Sequence, residues 1–316
     1  MKLTLLTSFI TSLLYFNHYV ESSSSCTSPI SSGTVNVNKF GTNTEMAVIV
    51  SGGDTSGVLV NSQTNAITVN HNYRAYIVND CPQSFTNTTY NNAFPLLGNT
   101  MTVTLDLSHV PCACNAAFYW TLMPAINSSQ LPDPTTCGDY YADANKVCGL
   151  WAPEMDSLEA NNNAMQITPH QCDTPIGKYY PSCDRDGCGF NIYRHNASAY
   201  GPGNNYTINT LLPFVYSASF VKDPASGNLT SIAVTLSQPA RNSIFTYTIT
   251  DNNCNKPGYL SALSYAFDVG MTPILSLWGD SASTMSWLDI PPCSDSVSCD
   301  PNSYMIVSDF SITSNA

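Results

Sequence analysis

Residues 151 to 165 read WAPEMDSLEANNNAM, and this stretch holds two of the four glutamates in the chain. Glu154 and Glu159 stand five residues apart with Asp156 between them, in a chain where only 10% of residues are charged. Carboxyl groups in such close succession suit acid/base and nucleophilic chemistry, because one can be held protonated while another stays ionised. Three of them in a groove fit retaining glycoside hydrolysis. One carboxylate attacks the anomeric carbon, a second donates to the leaving oxygen from about 5–5.5 Å away, and the third holds the nucleophile. Crowded negative charge would raise the pKa of the acid. A surface acidic cluster or a calcium site fits the spacing too, so spacing alone leaves the chemistry open.

The elements around these residues narrow the choice. In a strand, Glu154 and Asp156 share a face, and Glu159 joins them only if a bulge at Ser157 or Leu158 adds one residue. A helix is disfavoured by Pro153 before the motif and by Asn161 to Asn163 after it. Period-two alternation dominates the rest of the chain. It aligns Met101, Val103, Leu105 and Leu107, then Ile232, Val234 and Leu236, then Phe245, Tyr247 and Ile249, and finally Ile306, Phe310 and Ile312. Further strands are predicted at 46–51, 66–69, 75–78, 116–123, 214–221, 274–278 and 285–290. Only 259–269 shows helical spacing, through Leu260, Leu263, Ala266 and Phe267. About a dozen strands with almost no helix predict an all-β sandwich of two curved antiparallel sheets, with a groove on the concave side.

Composition sets the compartment and excludes partners. Residues 1–22 carry Lys2 and an apolar run from Leu3 to Leu14, a pattern read as a secretory signal peptide. Residues 23–316 are read as one secreted, extracellular, monomeric domain. No later segment reaches roughly 18 unbroken apolar residues, so no membrane partner is expected. The 12 cysteines all follow the leader, which predicts disulfides rather than metal or redox chemistry. Sequons at Asn87, Asn127, Asn196, Asn205 and Asn228 fit the same compartment. A net charge of −12 with only ten Lys plus Arg argues against nucleic acid and suits a neutral polymer. No cofactor is expected, and no metal. Asp184-Arg185-Asp186 lacks the rest of a calcium loop, and Cys112-Ala113-Cys114 has no histidine partner for zinc.

EMDSLEAN followed by ITPHQC resembles glycoside hydrolase family 7, whose signature reads Glu-Met-Asp-x-x-Glu-Ala-Asn. LLGNTMTVTLDLSHVPC, YADAN, CDRDGCGFNIYR with YGPG, and LSLWGDSASTMSWLD resemble further family segments in family order, from about Thr64 to Thr313. The resemblance implies a jelly-roll sandwich acting on a β-linked glucan polysaccharide, cellulose or a related polymer. It implies Glu154 as nucleophile, Glu159 as acid/base and Asp156 as the residue that holds the nucleophile. His170 falls on the family histidine near the acid/base, and Tyr141, Asp143 and Asn145 fall beside the cleaved sugar. Trp278 and Trp287, on neighbouring predicted strands, become sugar platforms, Trp278 on the nonreducing side of the cut and Trp287 just past it. Asp186 and Arg194 match the CDRDGCGFNIYR segment.

Departures from the family bear on the mode of action. In HNYRAY the family Asn-Trp-Arg-Trp has become Asn72-Tyr73-Arg74-Ala75, which reads as one smaller platform and one lost. The Asp80–Phe94 connection is short, Lys178 stands where many members place an arginine, and Gly189 replaces an aspartate. Ser157 and Leu158 replace the usual Ile and Trp. The reading is a retaining β-1,4-glucan hydrolase, a cellulase cutting internally in an open cleft. The alternatives are a processive cellobiohydrolase, a hydrolase of a related β-glucan or xyloglucan, and a non-catalytic carbohydrate-binding protein. The resemblance also implies Cys26–Cys81, Cys112–Cys299, Cys172–Cys183 and Cys188–Cys254, and elimination and proximity add Cys137–Cys148 and Cys114–Cys293.

Overall fold

A computed structural model describes residues 26–90 and 94–315. The expected leader lies outside the described residues, as does part of the Asp80–Phe94 connection. In chain order the first strands are β1 (Ser31–Lys39), β2 (Thr42–Val50), β3 (Val58–Asn61), β4 (Ala66–Asn70), β5 (Tyr73–Val78), β6 (Asn99–Asp106), β7 (Cys114–Thr121), β8 (Glu154–Ala160), β9 (Met165–His170) and β10 (Phe190–Asn191). A small parallel pair follows, β11 (Tyr200–Gly201) with β12 (Ile208–Asn209). The rest are β13 (Phe214–Lys222), β14 (Leu229–Gln238), β15 (Ser243–Thr250), β16 (Thr272–Gly279) and β17 (Tyr304–Ser314).

One hydrogen-bonded path runs β10-β9-β8-β7-β16-β5-β2-β1-β17-β6-β13-β14-β15, with β4 joining β17 and β3 joining β4. The path folds back on itself, so the first half packs over the second as a sandwich. Phe310 of β17 meets Phe118 and Trp120 of β7 at ring-centroid distances of 5.3 and 5.9 Å. The alternation in β6 explains its place, since Met101, Val103 and Leu105 are fully buried while Thr102 and Thr104 between them are not. The two ends of the path meet again, where Phe190 of β10 stacks on Tyr247 of β15 and the Cys188–Cys254 disulfide bridges the same rim.

Three expectations change. The predicted strand at 285–290 is a helix, Ala282–Asp289, opened by Ser281, whose backbone N–H donates to Thr284 Oγ1 at 3.3 Å. Its buried residues are Ala282, Met285, Leu288 and Asp289, spaced by three and four. Trp287 therefore rides on a helix that contacts β9. Ile306 faces away from Phe310 and Ile312, and Met305 and Val307 are buried instead. A register shift between Ser308 and Ser311, with Asp309 at φ 53°, inverts the pattern there. Ala75 is wholly buried against Val50 and Leu275 in the sandwich core. The departure from tryptophan at 75 is therefore a change of core packing and removes no groove platform.

Six disulfides form, and two of the expected pairings exchange partners. Cys112 binds Cys293 and Cys114 binds Cys299, while the other four expected pairs are present. Ala113 sits between them at φ 63°, so the chain turns there and sends the neighbouring cysteines to different partners. The two bonds span 181 and 185 residues, each a closure for which chain-entropy models give about 5 kcal/mol. Replacing Cys112 and Cys293 together by serine should leave the Cys114–Cys299 peptide pair intact on non-reducing mass mapping, with a clearly lower melting temperature. A Cys112–Cys299 peptide in the wild type would contradict this pairing.

Candidate active site

The concave face of the sheet can be read strand by strand. β8 runs antiparallel to β7 and β9, with Glu154 opposite Thr121 and His170, Asp156 opposite Tyr119 and Thr168, and Glu159 opposite Ala117 and Gln166. Both pairings shift register between Asp156 and Glu159 because β8 carries one extra residue, and in the β7 pairing the unmatched residue is Ser157. The bulge restores Glu159 to the face of the other two. The rows continue across β16 and β5, so that Ala117, Ser276 and Arg74 form one row and Tyr119, Ile274 and Tyr76 the next.

These residues floor a groove of about 1130 Å³. Glu154, Asp156, Glu159, Tyr73, Arg74, Tyr141, Asp143, Asn145, His170, Asp186, Trp278 and Trp287 all line it. Trp278 is 41% exposed, a value that fits a sugar platform and not a core indole. Lys178 and Arg194 stand apart from it. Lys178 is exposed on a turn where its backbone N–H donates to Gln130 Oε1 at 2.7 Å. Arg194 donates to the Ser286 carbonyl at 3.3 Å, at the outer side of the Trp287 helix.

Partners fix each carboxyl. Glu154 Oε2 accepts from the Ala144 backbone N–H at 2.9 Å. Ala144 lies in the loop closed by Cys137–Cys148, where Asp143 Oδ1 accepts from the N–H groups of Asn145 and Val147, both at 3.0 Å. Tyr141 of the same loop stacks under the Arg74 guanidinium at 3.8 Å, and Arg74 pairs with the buried Asp139 at 3.3 Å. Glu159 Oε1 accepts from Asn115 Nδ2 at 2.8 Å. The Asp184 carbonyl lies 2.8 Å from His170 Nδ1, and a carbonyl can only accept, so Nδ1 carries a hydrogen. His170 Nε2 lies 2.9 Å from Asp156 Oδ2. One proton therefore sits between these two atoms, as imidazolium against carboxylate or as imidazole against carboxylic acid. Glu154, Asp156 and His170 bring ligating atoms within 4.8 Å of one another, but that shared proton already satisfies two of the three.

Burial and mutual repulsion shift all three acids in one direction. Burial, then the charge of Asp156, holds Glu154 well above the usual carboxylate range, and burial, then Asp143, does the same for Asp156. Burial, then Asp156, pushes Glu159 up to about 8, with the Asn115 hydrogen bond opposing. Several lining residues escaped the sequence reading, among them Tyr119, Gln166 and Thr168, and so did the buried Asn115 that donates to Glu159. β7 is buried at all eight positions, so polarity along it carries no face signal. Register with β8 is what reveals these residues.

The raised acids make stability depend on pH. A carboxyl whose folded pKa exceeds its unfolded value favours folding fully below the unfolded value, near about 4.3, and loses that contribution as pH rises through the folded value. For Glu159 the window runs up to about 8. The melting temperature should fall from pH 5 to pH 8, and Glu159→Gln should make that slope shallower. A slope equal in wild type and variant would contradict the raised value.

A family model described as Glycosyl hydrolase family 7 matches residues 135–244, which include β8 and its three carboxyls. Endoglucanase EG-1 of Hypocrea jecorina is 28% identical over 250 residues, covering 67% of this chain and 52% of that protein. The chain thus spans about half the length of the curated relatives it matches. Among solved structures, an endoglucanase I complexed with cellobiose superposes with a TM-score of 0.73 at 18% identity, covering 90% of this chain and 96% of that one. The native Humicola insolens endocellulase EGI gives 0.67 at 22%, over 82% and 79%, and a cellobiohydrolase from Daphnia pulex gives 0.67 at 17%, over 89% and 96%. Signature, partial family match and fold agree in likening the chain to glycosyl hydrolase family 7.

Proposed function

We propose that this protein hydrolyses β-1,4-glucan with retention of configuration, cutting inside the polymer. One observation carries the reading: Glu154, Asp156 and Glu159 leave one bulged strand on the same face, at the floor of a groove with an exposed indole beside them. Binding alone requires neither a nucleophile nor an acid held protonated near neutral pH. In the proposed reaction Glu154 attacks the anomeric carbon and the bond to the leaving oxygen breaks. Glu159 gives that oxygen its proton. Water then hydrolyses the glycosyl ester on Glu154, passing a proton back to Glu159. Burial, then the Asp156 charge, raises the Glu159 pKa to about 8, so Glu159 is ready to donate in neutral solution, and His170 Nε2 lies 2.9 Å from Asp156 Oδ2 to hold that residue in place. The Ala144 N–H steadies Glu154 when it is ionised. Curated and structural relatives bear endoglucanase names, which favours an endo-acting cellulase. The exposed rim formed by Asn145, Lys146, Val147, Arg185 and Asp186 supports a groove that a chain can enter sideways. Secretion is supported by the disulfide set and the leader-like start of the sequence.

Glu154→Gln should lower turnover on soluble β-1,4-glucan on the order of a thousandfold or more while melting stays native-like. Glu159→Gln should lose far less on an aryl cellobioside than on the polymer, because a good leaving group needs little protonation. Proton NMR of the first product should show the β-anomer. Viscometry tests the mode of cutting: a rapid fall with few reducing ends is expected. Cellobiose as nearly all soluble product from the first minutes would replace internal cutting with processive action.

A further inference from the structure

Gln166 of β9 stands directly across from Glu159 and lines the groove. Its place depends on a missing side chain. A Cβ on Gly189 would lie 2.9 Å from Gln166 Nε2 and 3.2 Å from its Cδ. At Gly187, with φ +65°, a Cβ would lie 2.4 Å from Thr168 Cγ2 and 2.6 Å from His170 Cε1. The backbone from 184 to 189 is thus pressed flat on β9, and Cys172–Cys183 and Cys188–Cys254 tie it down at both ends. Gln166 lies in the notch over Gly189, its Nε2 donating to Thr168 Oγ1 at 3.3 Å. A glutamine amide offers two hydrogens and an accepting oxygen. Among the described residues only that one bond is made, which leaves the oxygen and a second hydrogen for a ligand in the groove.

The groove crosses the strands, and this fixes which sugar Gln166 would meet. Tyr73, Arg74 and Trp278 lie on β5 and β16, on one side of the carboxyl strand β8, while Gln166 lies on the other. With Glu159 as the acid, β9 beside it faces the part of the substrate that departs, in line with the nonreducing-side position that the resemblance implies for Trp278. Glu159, the cross-strand neighbour of Gln166, donates to the departing oxygen. We infer that Gln166, seated over Gly189, is a specificity-determining residue that hydrogen-bonds a sugar hydroxyl in the leaving-group position. This rests on the glucanase reading above. A sugar leaving group carries hydroxyls that the amide can pair with, and an aryl group does not.

The test compares kcat/KM on cellotetraose with that on para-nitrophenyl β-cellobioside. Gln166→Ala should lower the ratio of the two by roughly tenfold, because a site built to pair a hydroxyl discriminates against a group lacking it. Gly189→Ala should lower the same ratio by pushing the amide out of its notch. Combined with Gln166→Ala it should add nothing, since the side chain it displaces is gone. Thermal melting checks that each variant is folded, and Gln166→Ala alone decides the case if Gly189→Ala is not. A folded Gln166→Ala with the wild-type ratio would overturn this inference and leave the glucanase reading standing, as would independent losses in the double variant. A wild type that turns over neither substrate would overturn both.

Discussion

A strand points successive side chains to opposite faces, so carboxyls at 154, 156 and 159 can converge only where one residue is inserted between the last two. Ser157 is that residue, and the groove depends on it. Insertion leaves a backbone carbonyl and a side chain with no place in the ladder, at a point packed over β6 and β13. An unpaired polar group there would cost about 1–3 kcal/mol. The fold supplies partners for both. Tyr216 donates its hydroxyl to the Ser157 carbonyl, Trp120 donates its indole N–H to Ser157 Oγ at 2.9 Å, and that hydroxyl reaches Met101 Sδ at 3.3 Å. A residue that departs from the usual isoleucine thus becomes a small polar key behind the site, and the replacement of Trp by Leu158 is absorbed in the same buried layer.

Crowding three acids on one strand has an electrostatic consequence that the loops around the groove manage. None of the acids ionises readily, because each is taken out of water beside another. One proton is held between Asp156 and His170. The Ala144 N–H is the counterweight that favours charge on Glu154, and it is delivered by a loop pinned at Cys137–Cys148. Asp139 of that loop gathers Arg74, Ser51 and Tyr76 around one buried carboxylate. The loop and β5 are thereby locked as one wall, with the guanidinium flat on Tyr141.

The opposite wall follows the same logic with different chemistry. There the backbone from 184 to 189 lies against β9 because Gly187 and Gly189 present no Cβ, and the Asp184 carbonyl selects the His170 tautomer. The Phe190–Tyr247 stack and the Cys188–Cys254 bond join this wall to the far edge of the path. The groove is thus framed by covalent ties on both sides, and its floor is set by strand register.

Local chemistry made much of this legible from the residues alone. Alternation in the segments around Met101, Ile232 and Phe245 marked true strands with the buried faces as read, and the odd offset of Glu159 demanded the bulge that is present. Trp278, Asp143 and His170, singled out through the resemblance, line the groove. Other features needed the folded chain. Residues 285–290 alternate like a strand, yet a cap at Ser281 and burial spaced by three and four make them helical. A second shift, at Asp309, turned Ile306 outward, and no single segment announces where its partner inserts a residue. Cys112 and Cys114 close loops of nearly equal length by either pairing, so chain entropy cannot choose between them; the turn at Ala113 does. Asn115 and Tyr119 lie in a strand buried at every position, with little polar alternation, whereas Gln166 shares an alternating polar face of β9 with Thr168 and His170. Their function depends on which residue stands opposite, and that is a property of the sheet as a whole.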